Sequence, residues 1–121
     1  MRNLKRQEGA STVEFALIAP ILIMLIFAIF EFGLAFNSYL AITHAAREGA
    51  RLAAVGKYDE AAVRERAYPV IPTAVSISYP DGNLHGQPVE VRIEYDFPLS
   101  IPFFGRRLLP LTSAAEMRLE V

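Results

Sequence analysis

An α+β fold is predicted: one long N-terminal helix packs on a small three-stranded antiparallel sheet, with one short extra helix. Three observations predict it. An apolar run near the N-terminus is too long for an ordinary core helix, and helical spacing of small residues continues beyond it. After Pro72 the period changes to two. At 121 residues there is room for one domain besides the membrane segment.

No charged or strongly polar side chain interrupts Phe15 to Phe30. Taken from Val13 to Phe36 the hydrophobic stretch has 24 residues, roughly 36 Å of helix at the usual rise. That spans a hydrocarbon core of about 30 Å with some tilt. Ordinary core helices rarely keep every face apolar for more than four turns. Arg2, Lys5 and Arg6 precede the segment, which favours a cytoplasmic N-terminus, although Arg47, Arg51 and Lys57 follow it. A removed signal peptide would have a shorter apolar core with small residues just behind it. Here Thr43 and Ala45, the nearest suitable pair, lie too far downstream, so the helix is expected to stay.

Three residues stand out in or beside this run. Pro20 removes one backbone donor and is expected to bend or loosen the helix around Ala16. Glu31 lies near the outer end, where an anchoring carboxylate reaches headgroups or water. Glu14 opens the run, where burial without a cationic partner would be costly.

Beyond Phe36 the helical pattern persists. Asn37, His44, Arg47, Glu48 and Arg51 fall on one arc, and Glu48 and Arg51 are spaced to pair. Opposite them runs a helix-packing ridge of Ala41, Ala45, Gly49 and Ala53, flanked by Ile42, Ala46 and Ala50. Small residues let another backbone approach closely. The chain's own sheet is the favoured occupant, and a neighbouring subunit's helix is the alternative. Gly56 marks the end of a continuous helix from about Ser11 to Val55.

In the outer domain, 59–67 reads as a short helix capped by Asp59 and stopped at Tyr68-Pro69. Strands are expected over 73–79, 89–97 and 112–121. Val75, Ile77 and Tyr79 form one apolar face, Val89 to Phe97 a second, and Ala115, Met117, Leu119 and Val121 a third. Pro80-Asp81-Gly82-Asn83 supplies a turn between the first two strands. The connection 98–110 is unusually apolar for a loop. It offers Phe103, Phe104, Arg106 and Arg107 as a contact for a partner subunit or the outer leaflet. The favoured reading is that its apolar residues close one end of the core.

The stretch Lys5-Arg6-Gln7-Glu8-Gly9-Ala10-Ser11-Thr12-Val13-Glu14-Phe15 resembles the leader junction of type IV pilin-like proteins. Val13-Glu14-Phe15-Ala16-Leu17, then Pro20, Glu31-Phe32-Gly33 and Ala45-Ala46-Arg47-Glu48-Gly49-Ala50-Arg51 together are similar to the TadE-like pseudopilin family. The resemblance covers Gly9 to about Ala54. It implies that 1–9 is a short basic prepilin-type leader, 10–36 the transmembrane helix and 37–121 an extracytoplasmic domain whose helix continues over 37–56. It also implies a cut between Gly9 and Ala10 by a prepilin peptidase, leaving 112 residues. Glu14 would then pair with the Ala10 amine of a neighbouring subunit and set register. Members of the family are minor pilin-like components of the bacterial tight-adherence (Flp) pilus machinery.

Neither a phosphate-cradling glycine loop nor a nucleophile elbow or zinc-ligand spacing is present in the sequence. His44 and His85 read as surface residues, and Asp59, Glu60 and Glu65 as the solvated face of a short helix. With no cysteine and a formal charge of −1, thiol chemistry is excluded and no nucleic-acid surface is indicated. The expectation is a non-enzymatic structural or assembly protein with no cofactor and no small-molecule substrate. Its partners are the membrane, a prepilin peptidase, other pilin-like subunits and pilus assembly proteins. It is expected in the bacterial inner membrane as a single-pass protein. The alternative is an uncleaved single-pass protein whose outer domain is an accessory binding subunit of another envelope or secretion complex.

Overall fold

The computed structural model describes the backbone of residues 2–121 and the side chains of residues 7–121. Helix α1 runs Arg2–Ala54, α2 spans Glu60–Arg66, and strands β1 (Ala74–Ser78), β2 (Pro88–Ile101) and β3 (Gly105–Arg118) follow. The sheet has the order β1-β2-β3 with both pairings antiparallel. This is the predicted α+β architecture. The side chains of Arg2, Lys5 and Arg6, on which the charge bias of the leader rests, lie outside the described residues.

Helix α1 begins well before Ser11, passing through Gly9 and Pro20 without leaving the helical state. Its C-terminus is closed as a Schellman motif. Gly56 adopts φ +71°, its N–H donates to the Ala53 carbonyl at 3.0 Å, and the Lys57 N–H donates to Leu52 at 2.8 Å. A further orphan carbonyl, that of Ala54, accepts the Glu120 N–H at 2.8 Å. The C-terminal segment is thereby tied to the end of the helix. Asp59 caps α2 as expected, its Oδ1 accepting from the Ala61 N–H at 3.0 Å.

Two apolar clusters lie between the helices and the sheet. Ala50 and Ala53 meet Val89, Val91 and Leu119, while Ile42, Ala45 and Ala46 meet Val63, Ala67, Val70 and Ile93. The ridge expected on α1 is therefore occupied by the chain's own sheet and α2. Ala45, Gly49 and Ala53 are buried and Ala41 is half-buried. Close approach is tightest at Gly49, where a Cβ would stand 2.9 Å from Val63 Cγ2 and 3.0 Å from Val91 Cγ1. The buried polar side chain on the sheet, Ser113, shares a hydrogen bond of 2.9 Å with the Thr43 hydroxyl.

Three expectations are corrected. Residues 98–110 do not form a loop: β2 continues to Ile101 and β3 starts at Gly105, with Pro98 opposite Leu108 and Asp96 opposite Pro110. The sequence reading ended the strands at the prolines because a proline deletes a ladder donor. That cost falls away where a strand has an open edge, and β1 ends opposite Glu94, leaving β2 unpaired on that side from Tyr95 onward. Second, the apolar residues of this segment do not all close the core, since Phe103, Phe104 and Leu108 are exposed. Third, Met117 and Val121 were assigned to the buried face of the last strand but are exposed. Ala115 and Leu119 face inward as expected, and Leu109, Leu111 and Ser113 carry the remaining inward positions.

Tyr58 packs against both clusters. Burial, reinforced by the Glu60 carboxylate, raises its pKa above the ordinary tyrosine value. The folded state thus holds this proton more tightly than the unfolded chain does. Its stabilising contribution is complete below about pH 10, the unfolded value, and is lost as pH rises through the higher folded value. Thermal unfolding midpoints should fall more steeply above about pH 10 for the natural chain than for Tyr58→Phe. Parallel curves would remove Tyr58 as the titrating group.

Candidate functional site

Helix α1 presents two different surfaces. From Val13 to Phe36 nearly every large apolar side chain is exposed, including Phe15, Ile21, Phe30 and Phe36. One helix among the described residues, Gln7–Ala54, is long and apolar enough to cross a membrane, which suggests membrane anchoring. Beyond Phe36 the same helix is amphipathic. Its polar arc carries exposed Asn37, His44, Arg47 and Arg51. Arg51 donates from Nη2 to Glu48 Oε1 at 2.7 Å and from Nε to Oε2 at 3.0 Å. That hydrogen-bonded guanidinium holds the Glu48 carboxyl below the usual carboxylate range. The pair lies in water and serves the solvated face.

At the N-terminal end Gly9, Ala10 and Glu14 are exposed on the helix surface. Nothing lies within 4 Å of the position a Gly9 Cβ would take, and glycine weakens the helix here by about 1 kcal/mol relative to alanine. The Thr12 hydroxyl donates to the Glu8 carbonyl at 2.8 Å across the Gly9-Ala10 junction. Among the described residues no hydrogen bond or ion pair engages the Glu14 side chain. The single chain thus brings no described cation to this carboxylate.

The hairpin of β2 and β3 runs down α1. Val89 and Val91 sit with Ala50 and Ala53, Ile93 sits with Ile42 and Ala45, and at Ser100 the backbone N–H donates to Glu31 Oε2 at 3.2 Å. Sequence reasoning gave Glu31 to headgroups or water; in the structure it ties the hairpin to the helix. A one-sided stripe was the available signal. Met24, Ala28, Glu31, Ala35 and Ser38 recur at intervals of four and three, and all are at least half-buried, unlike their neighbours. Below Glu31 the strands are joined by a three-residue turn, and Phe103, Phe104, Arg106 and Arg107 all lie exposed around it.

His44 and His85 are exposed, and no group of three potential metal ligands occurs among the described residues. Glu60 is ion-paired to Arg64 at 2.8 Å, and Arg64 also donates to the Pro72 carbonyl at 3.1 Å.

Comparison of the chain with curated proteins and with solved structures finds no match. A comparison with protein families does: residues 9–51, which begin at the expected leader junction and end on the polar arc, match the model described as TadE-like protein.

Proposed function

We propose that the chain is a minor pilin-like structural component of a tight-adherence (Flp) pilus system, acting by helix packing and subunit association. The TadE-like segment associates the chain with the Tad pilus system. The observation that carries the finer reading is the combination at the start of α1: an exposed apolar helix opened by a carboxylate with no described partner in its own chain. Side-by-side assembly of such helices buries the apolar faces. A cation close to Glu14 then becomes necessary, because an unpaired buried charge is costly. A cut between Gly9 and Ala10 would create that cation, an α-amino group that is largely protonated at neutral pH.

The ridge of Ala41, Ala45, Gly49 and Ala53 is already used inside the chain. Neighbouring subunits are left with the apolar N-terminal half of α1 and with the polar arc. In this reading the protein is a single-pass component of the bacterial cytoplasmic membrane, with its N-terminus cytoplasmic and its α+β domain outside. Association rather than catalysis is its action, and it takes no cofactor.

Recovered from membranes that contain the cognate prepilin peptidase, the protein should have an intact mass lower by nine N-terminal residues and a first residue of Ala10. Membranes lacking the peptidase should yield the full-length chain. A chain that keeps its first nine residues in both would be a permanent anchor, and function would then move to the outer domain as an accessory binding subunit.

A further inference from the structure

We propose that the turn joining β2 and β3 is a second membrane contact, in which Phe103 and Phe104 enter the acyl-chain boundary of the outer leaflet while Arg106 and Arg107 meet lipid phosphates.

The argument begins with depth along α1. Eighteen residues separate Val13 from Glu31, about 27 Å of helix. That nearly fills a hydrocarbon core of about 30 Å. Glu31 therefore stands close to the outer boundary when the apolar run spans the bilayer. The hairpin is fixed to that level by the bond from the Ser100 N–H to Glu31. From Ser100 the chain continues in the same direction, toward the N-terminal end of α1. Phe103, three residues on, reaches up to about 10 Å further at the rise of a strand. Half-burial of Ala28 and Met24, one and two turns below Glu31, follows the same stripe. The turn thus overlaps the membrane-spanning part of the helix. Its apolar end is continuous with a surface already assigned to lipid.

Chemistry changes along the hairpin in the order a membrane boundary requires. Arg106 is opposite Ser100 and Arg107 opposite Leu99, so both arginines sit at the Glu31 level. Adjacent strand residues project to opposite faces, so the two guanidinium groups flank the hairpin. Both are exposed, and neither enters an ion pair among the described residues. Below them come Phe103, 88% exposed, and Phe104, 64% exposed. Apolar groups placed about 5–10 Å below a cationic rim are the arrangement of interfacial membrane elements.

The backbone of the turn is also suited to shallow burial. Pro102 has no N–H, and the Phe104 N–H donates to the Ile101 carbonyl at 3.2 Å. On the stretch of β2 that β1 does not reach, Glu31 takes the Ser100 donor. Few donors remain for water to satisfy near the tip. Phe103 itself adopts φ +71°, at the turn position where glycine or asparagine is usual. A phenylalanine in that conformation is strained locally, because its Cβ crowds the backbone. Its large side chain, exposed in the isolated chain, is accounted for by a contact outside it.

The inference rests on α1 spanning a membrane, and the test separates the two. Because the natural chain has no cysteine, single cysteines at Phe103→Cys, Phe104→Cys, Ile21→Cys and Asp81→Cys can each carry an environment-sensitive fluorophore. The full chain is reconstituted into vesicles of phosphatidylethanolamine with phosphatidylglycerol, at low and high protein density. Labels at 103 and 104 should emit to the blue of the label at 81 and resist aqueous iodide at both densities. Lipids spin-labelled near the headgroup should quench them more than lipids labelled deep in the chain. In Phe104→Asp the label at 103 should return to aqueous behaviour.

If the label at 21 is buried in lipid while those at 103 and 104 remain aqueous, the tip proposal is wrong and the anchor stands. An aqueous label at 21 removes the anchor and the proposal with it. Protection of the tip only at high protein density would give that surface to a second copy of the chain, which also overturns the proposal.

Discussion

Glu14→Gln should reduce incorporation into the assembled machinery by at least tenfold, while membrane insertion and the fold of the outer domain stay as they are. The glutamine matches the carboxylate in size and removes only its charge. In the assembled state the Ala10 amine of a neighbouring subunit would then be buried without a counter-charge. Breaking a buried pair by removing one partner costs about 3–5 kcal/mol, and a tenfold loss corresponds to about 1.4 kcal/mol, so tenfold is a lower bound. Insertion should not suffer, because Val13 and Phe15 to Phe36 are untouched. A cycle of variants separates register from mere proximity to headgroups. Gly9→Leu, intended to block cutting, removes the amine. In that background Glu14→Gln should add little further loss, because the pair is already broken. The readout is the fraction of the chain that co-purifies with the assembled complex, against the fraction in the membrane. Normal incorporation of Glu14→Gln in a processed chain would remove the register role altogether.

The elements legible in the sequence are those whose pattern is local. The alternation from Val89 to Phe97 identified both a strand and its buried face, and the structure buries Val89, Val91, Ile93 and Phe97. Asp59 and Gly56 marked a helix start and a helix end because capping is decided by the residue at the cap. The length of the hairpin was not legible. Pro98, Pro102 and Pro110 read as breakers, and only the pairing shows why two of them are tolerated within paired strands: Pro98 lies past Glu94, beyond the reach of β1, and Pro110 is on β3, whose outer edge is open. The partner of Glu31 was hidden for a related reason. A carboxylate near the end of a membrane helix has an ordinary explanation in headgroups, whereas its acceptor role depends on Ser100, which is distant in sequence. For the candidate site, the sequence picked out Gly9, Ala10 and Glu14 by resemblance, and the structure adds that all three are exposed on one unbroken helix. The small-residue ridge was recognised as a packing surface, but periodicity alone left its occupant open between the chain's own sheet and another subunit.

That ridge gives the second large effect, at Gly49. Replacement by leucine should destabilise the outer domain by roughly 3 kcal/mol or more, since overpacking a closed site forces both neighbours apart. In a small domain that is a large part of the total stability. Alanine is the sharper test because two effects oppose each other. Helix propensity favours alanine over glycine by about 1 kcal/mol. Against this, the new methyl would meet Val63 Cγ2 at 2.9 Å and Val91 Cγ1 at 3.0 Å. Both valines are fully buried, and branching at Cβ restricts their rotation away from the intruder. They also belong to different layers, α2 and the sheet, so α1 cannot shift from one without pressing on the other. The steric cost should exceed the propensity gain, leaving Gly49→Ala less stable by about 1 kcal/mol. Val63→Ala should relieve part of that penalty, so that the double variant is more stable than the sum of the single effects predicts, by about 0.5 kcal/mol or more. Denaturant unfolding of the full chain in detergent, followed by tyrosine fluorescence, measures all four corners of this cycle. A Gly49→Ala chain more stable than the natural one would show that the helix is not held this close. The consequence would reach the membrane end as well, because the same packing line that seats α1 on Val91 continues through Ile93 to the bond between Ser100 and Glu31.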